Sequence, residues 1–173
     1  MTTIDPFESL VTRHQGEIYA YILRMVRNDG EAQDICQETF LRAYRAYEGL
    51  DGSPNYRAWL YKIATNTTLN SIRQRRNGEK AVTTLATTQP VEVHENHVER
   101  IGHQDLLDRV EEAIQLLPLK QRLAFTQRRF LGLTYEEIAT ALECSEEAAR
   151  ANVYQAARKL RIQFATDLTE VGI

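Results

Sequence analysis

Little in this chain punctuates it or ties it together. Its 173 residues include only 8 glycines and 4 prolines, so turns are few, and with little alternation of β-branched residues the composition points to helices. No stretch approaches the roughly 20 apolar residues that a bilayer-spanning helix needs. The opening Met1-Thr2-Thr3-Ile4-Asp5-Pro6 lacks the basic-then-apolar order of a secretory leader. The expectation is a cytoplasmic protein without membrane insertion. Cys36 and Cys144 are the two cysteines and show no Cys-x-x-Cys spacing, which favours small buried thiols over a regulatory disulfide. Catalytic signatures are missing as well: there is no Gly-rich phosphate loop, no nucleophile elbow and no His-Glu-x-x-His. The acidic pairs Glu111-Glu112, Glu136-Glu137 and Glu146-Glu147 are adjacent in sequence, so on a helix each pair diverges by about 100° instead of converging on a substrate. No enzyme activity is expected. His94, His97 and His103, with His14 elsewhere, fit no common zinc spacing. Neither a metal nor another cofactor is expected.

Charge is also in short supply for any protein that must grip DNA alone. The net charge is −3, from 21 basic and 24 acidic residues. Through Lys80 there are 11 basic and 10 acidic residues, and from Asp105 onward 9 and 11. Because DNA affinity comes largely from neutralised phosphates, a DNA-binding role requires a partner that supplies the electrostatics.

What is present is helical punctuation of good quality. Thr134, followed three residues on by Glu137, forms a capping box for a helix carrying Tyr135, Ile138, Ala139 and Leu142 on one side. Glu143-Cys144 makes a tight connection, and Ser145 is a natural N-cap for a second helix with an inner stripe of Ala149, Val153, Ala156 and Leu160. This helix-turn-helix leaves Glu147, Arg150, Ala151, Tyr154 and Arg158 facing outward, as a DNA-reading helix requires. Upstream, Asp5-Pro6-Phe7-Glu8 caps a helix to about Arg27, with Phe7, Leu10, Val11, His14, Ile18, Ile22 and Met25 on one face. Asn28-Asp29-Gly30 ends it. A second helix is expected from about Glu31 to Tyr47, with Ala32, Cys36, Phe40, Ala43 and Tyr47 inward. After the loop Gly49-Leu50-Asp51-Gly52-Ser53-Pro54, a third is expected from about Asn55 to Arg76. Residues 78–103, rich in threonine and carrying Glu92, Glu95 and Glu99, read as a linker. Beyond it a helix containing Leu106, Leu107, Val110, Ile114 and Leu117 ends at Pro118, and another spans about Leu119 to Leu131. The expected organisation is all-α: two small helical domains, 1–77 and 104–173, joined by a flexible linker, 78–103.

Two helix faces are candidates for partners. On the second helix Asp34, Gln37, Glu38, Leu41, Arg42 and Arg45 point outward; an exposed leucine ringed by polar groups suits a protein interface, while salt bridges at helical spacing would suit a solvated face. On the third, Lys62, Asn66, Asn70 and Arg73 share one side, a pattern suited to phosphates and base edges. Tyr56 and Trp59 beside the loop can stack on an unpaired base or serve as core aromatics. Asn55, at the loop end, is the better candidate for touching a base.

Three segments then resemble one family in order along the chain. Asp34-Ile35-Cys36-Gln37-Glu38-Thr39-Phe40-Leu41-Arg42-Ala43-Tyr44 is similar to the core-polymerase-binding helix of the extracytoplasmic-function (ECF) sigma factors of the sigma-70 family. Tyr56-Arg57-Ala58-Trp59-Leu60-Tyr61-Lys62-Ile63-Ala64-Thr65-Asn66-Thr67, ending in Arg73-Gln74-Arg75-Arg76, resembles their promoter-opening helix. Leu117-Pro118-Leu119-Lys120-Gln121-Arg122 and Gly132-Leu133-Thr134-Tyr135-Glu136-Glu137-Ile138-Ala139 resemble the entry to their −35-reading domain. The resemblance implies a factor that docks on RNA polymerase core (β and β′ subunits), directs it to promoter DNA and helps separate strands at the −10 element. Polymerase contacts would fall on Asp34, Gln37, Glu38, Leu41 and Arg45. The −10 contacts would fall on Asn55, Tyr56, Lys62, Asn66, Asn70 and Arg73, with the loop from Gly49 to Asn55 holding a flipped base. The −35 contacts would fall on Glu147, Arg150, Ala151, Tyr154 and Arg158. An anti-sigma protein is implied as a further partner. The sequence departs from the family at Glu146-Glu147, where acidic residues open the recognition helix. That departure motivates one alternative, a polymerase-binding adaptor without promoter reading; the other, a stand-alone helix-turn-helix regulator, would need a dimer interface and stronger basic charge, and the sequence shows neither.

Overall fold

A computed structural model describes residues 6–50, 55–83 and 103–165. Among these residues there are seven helices and no strand. The first module comprises α1 (Phe7–Val26), α2 (Asp29–Tyr47) and α3 (Tyr56–Thr83); the second comprises α4 (His103–Leu116), α5 (Leu119–Arg129), α6 (Tyr135–Leu142) and α7 (Glu146–Gln163).

Local chemistry sets most of the boundaries. Pro6 stands at the N-cap of α1, one residue before the first helical turn expected for it, and Asp5, the expected cap, lies outside the described residues. Leu10, His14, Ile18, Ile22 and Met25 are buried on the expected face, joined by Tyr21 and Val26. Arg27 turns left-handed (φ 55°) and closes α1, its N–H donating to the Leu23 carbonyl at 2.7 Å. Asn28 is no part of a loop: its side chain accepts from the Glu31 N–H at 2.9 Å and caps α2, so Asp29 and Gly30 belong to that helix's first turn. Ala32, Cys36 and Ala43 are buried along α2, together with Ile35 and Thr39.

Asn55 caps α3, accepting from the Ala58 N–H at 3.1 Å. The helix runs past Arg76 to Thr83. Gly78 costs it about 1 kcal/mol relative to alanine, but Glu79, Lys80 and Ala81 are good helix formers and carry it on. In α4, Ile114 is buried and Leu106 and Val110 pack beside it, whereas Leu107 is 59% exposed. One residue from Leu106 is a rotation of about 100°, which takes Leu107 off the inner stripe. Gly132 (φ 65°) makes the left-handed turn after α5. The capping box is complete, with Glu137 N–H donating to Thr134 Oγ1 (3.1 Å) and Thr134 N–H to Glu137 Oε2 (2.8 Å). Glu143 (φ 51°) makes the tight turn, Ser145 caps α7 through the Ala148 N–H at 3.1 Å, and Ala149, Val153, Ala156 and Leu160 are buried as a stripe.

The modules are packed against each other. One continuous apolar core joins Ile18, Tyr21 and Ile22 of α1 and Leu60 and Ala64 of α3 to Leu123 and Ala124 of α5 and Ile138 and Ala141 of α6. A second cluster, with Ile114, Phe125, Leu160 and Phe164, closes α4 onto α5 and α7. Replacing Ser145 by alanine removes one capping bond; urea denaturation is expected to read a loss of about 1 kcal/mol, with Ser145→Asp retaining most of it.

Candidate nucleic-acid and partner interface

An open groove of about 460 Å³ lies between α1 and α2, walled by Phe7, Val11 and Tyr19 on one side and Cys36, Gln37, Phe40, Leu41 and Tyr44 on the other. Leu41 is 45% and Tyr44 57% exposed. Gln37 and Leu41 therefore line an apolar trough. Glu38 instead makes a 2.6 Å ion pair with Arg42, and Asp34 and Arg45 are exposed on the same helix. Both features expected of this face are present: an apolar anchor with a polar surround, and a salt bridge at helical spacing.

At the start of α3 the candidate base-contacting groups are already engaged. Asn55 Nδ2 donates to Glu137 Oε1 at 2.9 Å, and Lys62 Nζ pairs with Glu143 Oε1 at 3.0 Å. Trp59 is half-buried, and with Asn55, Lys62, Thr134, Glu136 and Glu137 it lines a cleft of about 500 Å³ between α3 and α6. Tyr56 packs on Tyr47, ring centroids 5.8 Å apart. Asn66 is half-buried, while Asn70 and Arg73 are exposed farther along. Residues 51–54 of the expected base-holding loop lie outside the described residues, as do His94 and His97 and the linker's Glu92, Glu95 and Glu99. His14 is buried with Nδ1 2.5 Å from Glu17 Oε1, and His103 opens α4.

On the second module Glu147, Arg150, Ala151, Tyr154 and Arg158 are all exposed along α7. Arg150 pairs with Glu146 at 2.8 Å and lies 4.3 Å from the centre of the Tyr135 ring; Arg128 approaches the same ring at 4.7 Å. Arg150 and Tyr154 share a cleft of about 650 Å³ with Arg128, Arg129 and Arg161. This basic rim went unread in the sequence, where an Arg-Arg doublet at a helix end suggests only a complement to the helix dipole.

Two residues that sequence reasoning missed hold the modules together. Arg57 Nη2 donates to Glu17 Oε2 (2.9 Å) and to the Leu131 carbonyl (2.6 Å), so one guanidinium spans α1, α3 and the end of α5. Gln127 Nε2 donates to Tyr21 Oη and Thr65 Oγ1, each at 3.1 Å, and these hydroxyls lie 3.0 Å from each other. Gln127 is 0%, Tyr21 0% and Thr65 1% exposed. Burial pushes the Glu17 carboxyl up, but hydrogen bonds from Arg57 and His14 outweigh it and hold the group below its ordinary range. Glu137 is likewise held low: burial raises it, and the Thr134 backbone and Asn55 amide more than offset this.

Residues 10–78 match the Sigma-70 region 2 family and residues 107–160 the Sigma-70 region 4 family. The chain is 35% identical to the RNA polymerase sigma-H factor of Pseudomonas aeruginosa, over 87% of this chain and 81% of that protein. It is 32% identical to the ECF RNA polymerase sigma-E factor of Haemophilus influenzae, over 87% and 82%. In fold it is similar to the sigma factor RpoE in complex with the anti-sigma factor NepR from Bartonella quintana (TM-score 0.71, 20% identity, 98% of this chain and 100% of that one). It is also similar to CnrH in complex with the cytosolic domain of CnrY (TM-score 0.68, 22% identity, 93% and 88%).

Because the folded state holds Glu17 below its ordinary value, the Arg57–Glu17 pair stabilises most above 4.5 and loses its effect as pH falls through the lowered folded value. Wild type is expected to exceed Glu17→Gln by on the order of 1–3 kcal/mol at neutral pH. Urea titrations repeated below 4.5 should show that difference shrinking.

Proposed function

This chain belongs to the ECF sigma factors of the sigma-70 family, and we propose a division of labour among its surfaces. As a sigma factor it binds RNA polymerase core and directs it to promoters; the family belongs to the non-enzymatic initiation factors. In the proposed arrangement, domain 1–77 docks and melts, 78–103 connects, and 104–173 reads the −35 element. The protein works in the cytoplasm, where core polymerase is.

The observation that carries the docking reading is the groove beside α2. Leu41 and Gln37 line it, and an exposed leucine and tyrosine at an apolar trough supply a desolvatable anchor. Asp34, Glu38 and Arg45 form the polar surround that sets orientation on the β′ clamp helices, with β completing the core surface. An anti-sigma protein competes for this trough; the solved relatives RpoE and CnrH are each in complex with a protein partner, NepR and CnrY. Opening at the −10 element uses Asn55, Tyr56, Lys62, Asn66, Asn70 and Arg73 against the separated strand. Unstacking a base costs a few kcal/mol, offset by stacking and hydrogen bonds without chemical catalysis.

For the −35 element, Glu147, Arg150, Ala151, Tyr154 and Arg158 face the groove, and the Arg128–Arg129–Arg161 rim takes phosphates. Glu147 can accept from a cytosine amino group. A second reading, a polymerase-binding adaptor without promoter reading, is favoured by one observation: Glu146 and Glu147 open the recognition helix, and Glu146 occupies Arg150. Run-off transcription by purified core plus this chain separates the two, since an adaptor yields none.

The combined Gln37→Ala/Glu38→Ala/Leu41→Ala variant is expected to lose at least about tenfold in core affinity, 1.4 kcal/mol; unchanged affinity would move the docking surface elsewhere. For the rim, Arg129→Ala/Arg161→Ala should lower promoter affinity of the holoenzyme. It should also flatten the salt dependence by roughly 0.9 logarithmic units of slope per phosphate released.

A further inference from the structure

The cationic side chains around the recognition helix are not equivalent. Arg129, Arg158 and Arg161 are exposed and have no hydrogen-bond or ion-pair partner among the described residues. Arg128 is half-buried and donates through Nη1 to the Leu133 carbonyl at 2.8 Å. Of these five arginines only Arg150 is both exposed and held. Glu146 Oε1, one helical turn earlier, accepts from its Nη2 at 2.8 Å, and its guanidinium carbon lies 4.3 Å from the centre of the Tyr135 ring. Tyr135 is in turn a fixed platform. It opens α6 directly behind the Thr134–Glu137 capping box, packs against the main apolar core, and has Arg128 at 4.7 Å from its ring centre.

A mobile cation suffices for a phosphate, whereas reading a base needs a guanidinium edge in a defined place. Ordering a free arginine at the moment of binding costs roughly two- to tenfold in affinity. Here a carboxylate and an aromatic face have ordered it beforehand. The bond to Glu146 uses one of the five N–H donors of a guanidinium, and Arg150 has no second hydrogen-bond partner among the described residues. An edge therefore remains for two acceptors. In the major groove the pair that fits is O6 and N7 of guanine.

We propose that Glu146 and Tyr135 are positioning residues for Arg150, which reads a guanine in the −35 element, and that this clamp gives α7 its base preference. The inference rests on the sigma reading above and names what its −35 surface recognises. Glu146 has a second effect. Its charge repels phosphates, so it weakens sequence-independent attraction while sharpening the one contact that distinguishes bases. The acidic start of α7 then serves discrimination and does not oppose DNA reading.

The test uses holoenzyme assembled from core polymerase and the full chain. It is mixed with a promoter-length duplex library randomised at both elements, and sequencing of the retained DNA gives the preference at each position. Wild type is expected to favour guanine at one −35 position by roughly 5- to 100-fold, and Arg150→Ala to erase that preference. Glu146→Ala and Tyr135→Leu should each lower it by about threefold, at that position alone. Tyr135→Phe keeps the ring face and should retain it. Adding Glu146→Ala to Arg150→Ala should change nothing further there, because a positioning residue has no effect once the residue it positions is gone. On a duplex of unrelated sequence, Glu146→Ala is expected to bind at least as tightly as wild type, since a carboxylate has been removed; a damaged α7 would bind less.

The inference fails if Glu146→Ala or Tyr135→Leu keeps the full guanine preference, or if the loss spreads evenly over the −35 positions. It fails equally if Tyr135→Phe loses as much as Tyr135→Leu, or if Glu146→Ala acts alike with and without Arg150. Wild-type holoenzyme that retains no more library DNA than core alone removes the sigma reading, and this inference with it. Retention governed by the −10 positions, with a flat −35 profile, removes this inference alone.

Discussion

A carboxamide taken wholly out of water costs several kcal/mol unless its hydrogen bonds are replaced, and Gln127 faces that demand at the centre of this molecule. Its amide nitrogen is satisfied by Tyr21 and Thr65 together, one hydroxyl from α1 and one from α3. Burial pushes the Tyr21 hydroxyl up to about 12, so it stays protonated and able to bond within the knot. Three side chains from three helices must converge within hydrogen-bond distance, and that requirement sets where α5 lies. The placement of α6 on α3 follows, because Gly132 and the capping box start α6 only a few residues beyond α5. The position of α7 follows in turn through its Ala149–Val153 stripe.

Apolar area alone would allow the modules to slide, since hydrophobic burial is non-directional. Direction comes from a few polar links. Arg57 binds a side chain of α1 and a backbone carbonyl beyond α5, so rotation of either module breaks one of its bonds. Burial lowers the proton affinity of that guanidinium, but the Glu17 hydrogen bond is the larger effect and raises it. The pair therefore remains ionised wherever Glu17 is. Gln115 adds a bond to the Arg24 carbonyl at 2.9 Å at the end of α1. A chain built this way has a specific closed geometry even where individual links contribute little.

Local features were legible in the sequence because their causes are local. The Thr134–Glu137 box and the Ser145 cap are each closed within three residues, and the inner stripe of α7 repeats at helical spacing. Asn28 was harder: Asn-Asp-Gly is turn chemistry and cap chemistry alike, and only the placement of the Glu31 N–H decides between them. The continuation of α3 to Thr83 was hidden because Gly78 and a threonine-rich stretch imitate a helix end. The contact between modules had no such trace. Gln127 and Tyr21 are 106 residues apart, and a glutamine beside two arginines looks like a solvated helix end. Asn55 stood out by its place at a loop end and Lys62 by helical spacing, but their engagement by Glu137 and Glu143 is a tertiary fact with no periodicity to betray it.

The deficit of positive charge takes on a more specific meaning in this light. On the second module Glu111, Glu137 and Glu143 pair with groups of the first module, while Arg128, Arg129, Arg150 and Arg161 gather around the cleft beside α7, where Glu146 pairs with Arg150. The net charge of −3 belongs to the whole chain, so it conceals this local separation of charge. Strongly basic modules would repel each other and bind duplex indiscriminately. Here the carboxylates on the inner face of the second module meet Arg24 and Lys62 of the first instead. The carboxylates that make the chain acidic thus also help to fix where the helix-turn-helix lies against α3.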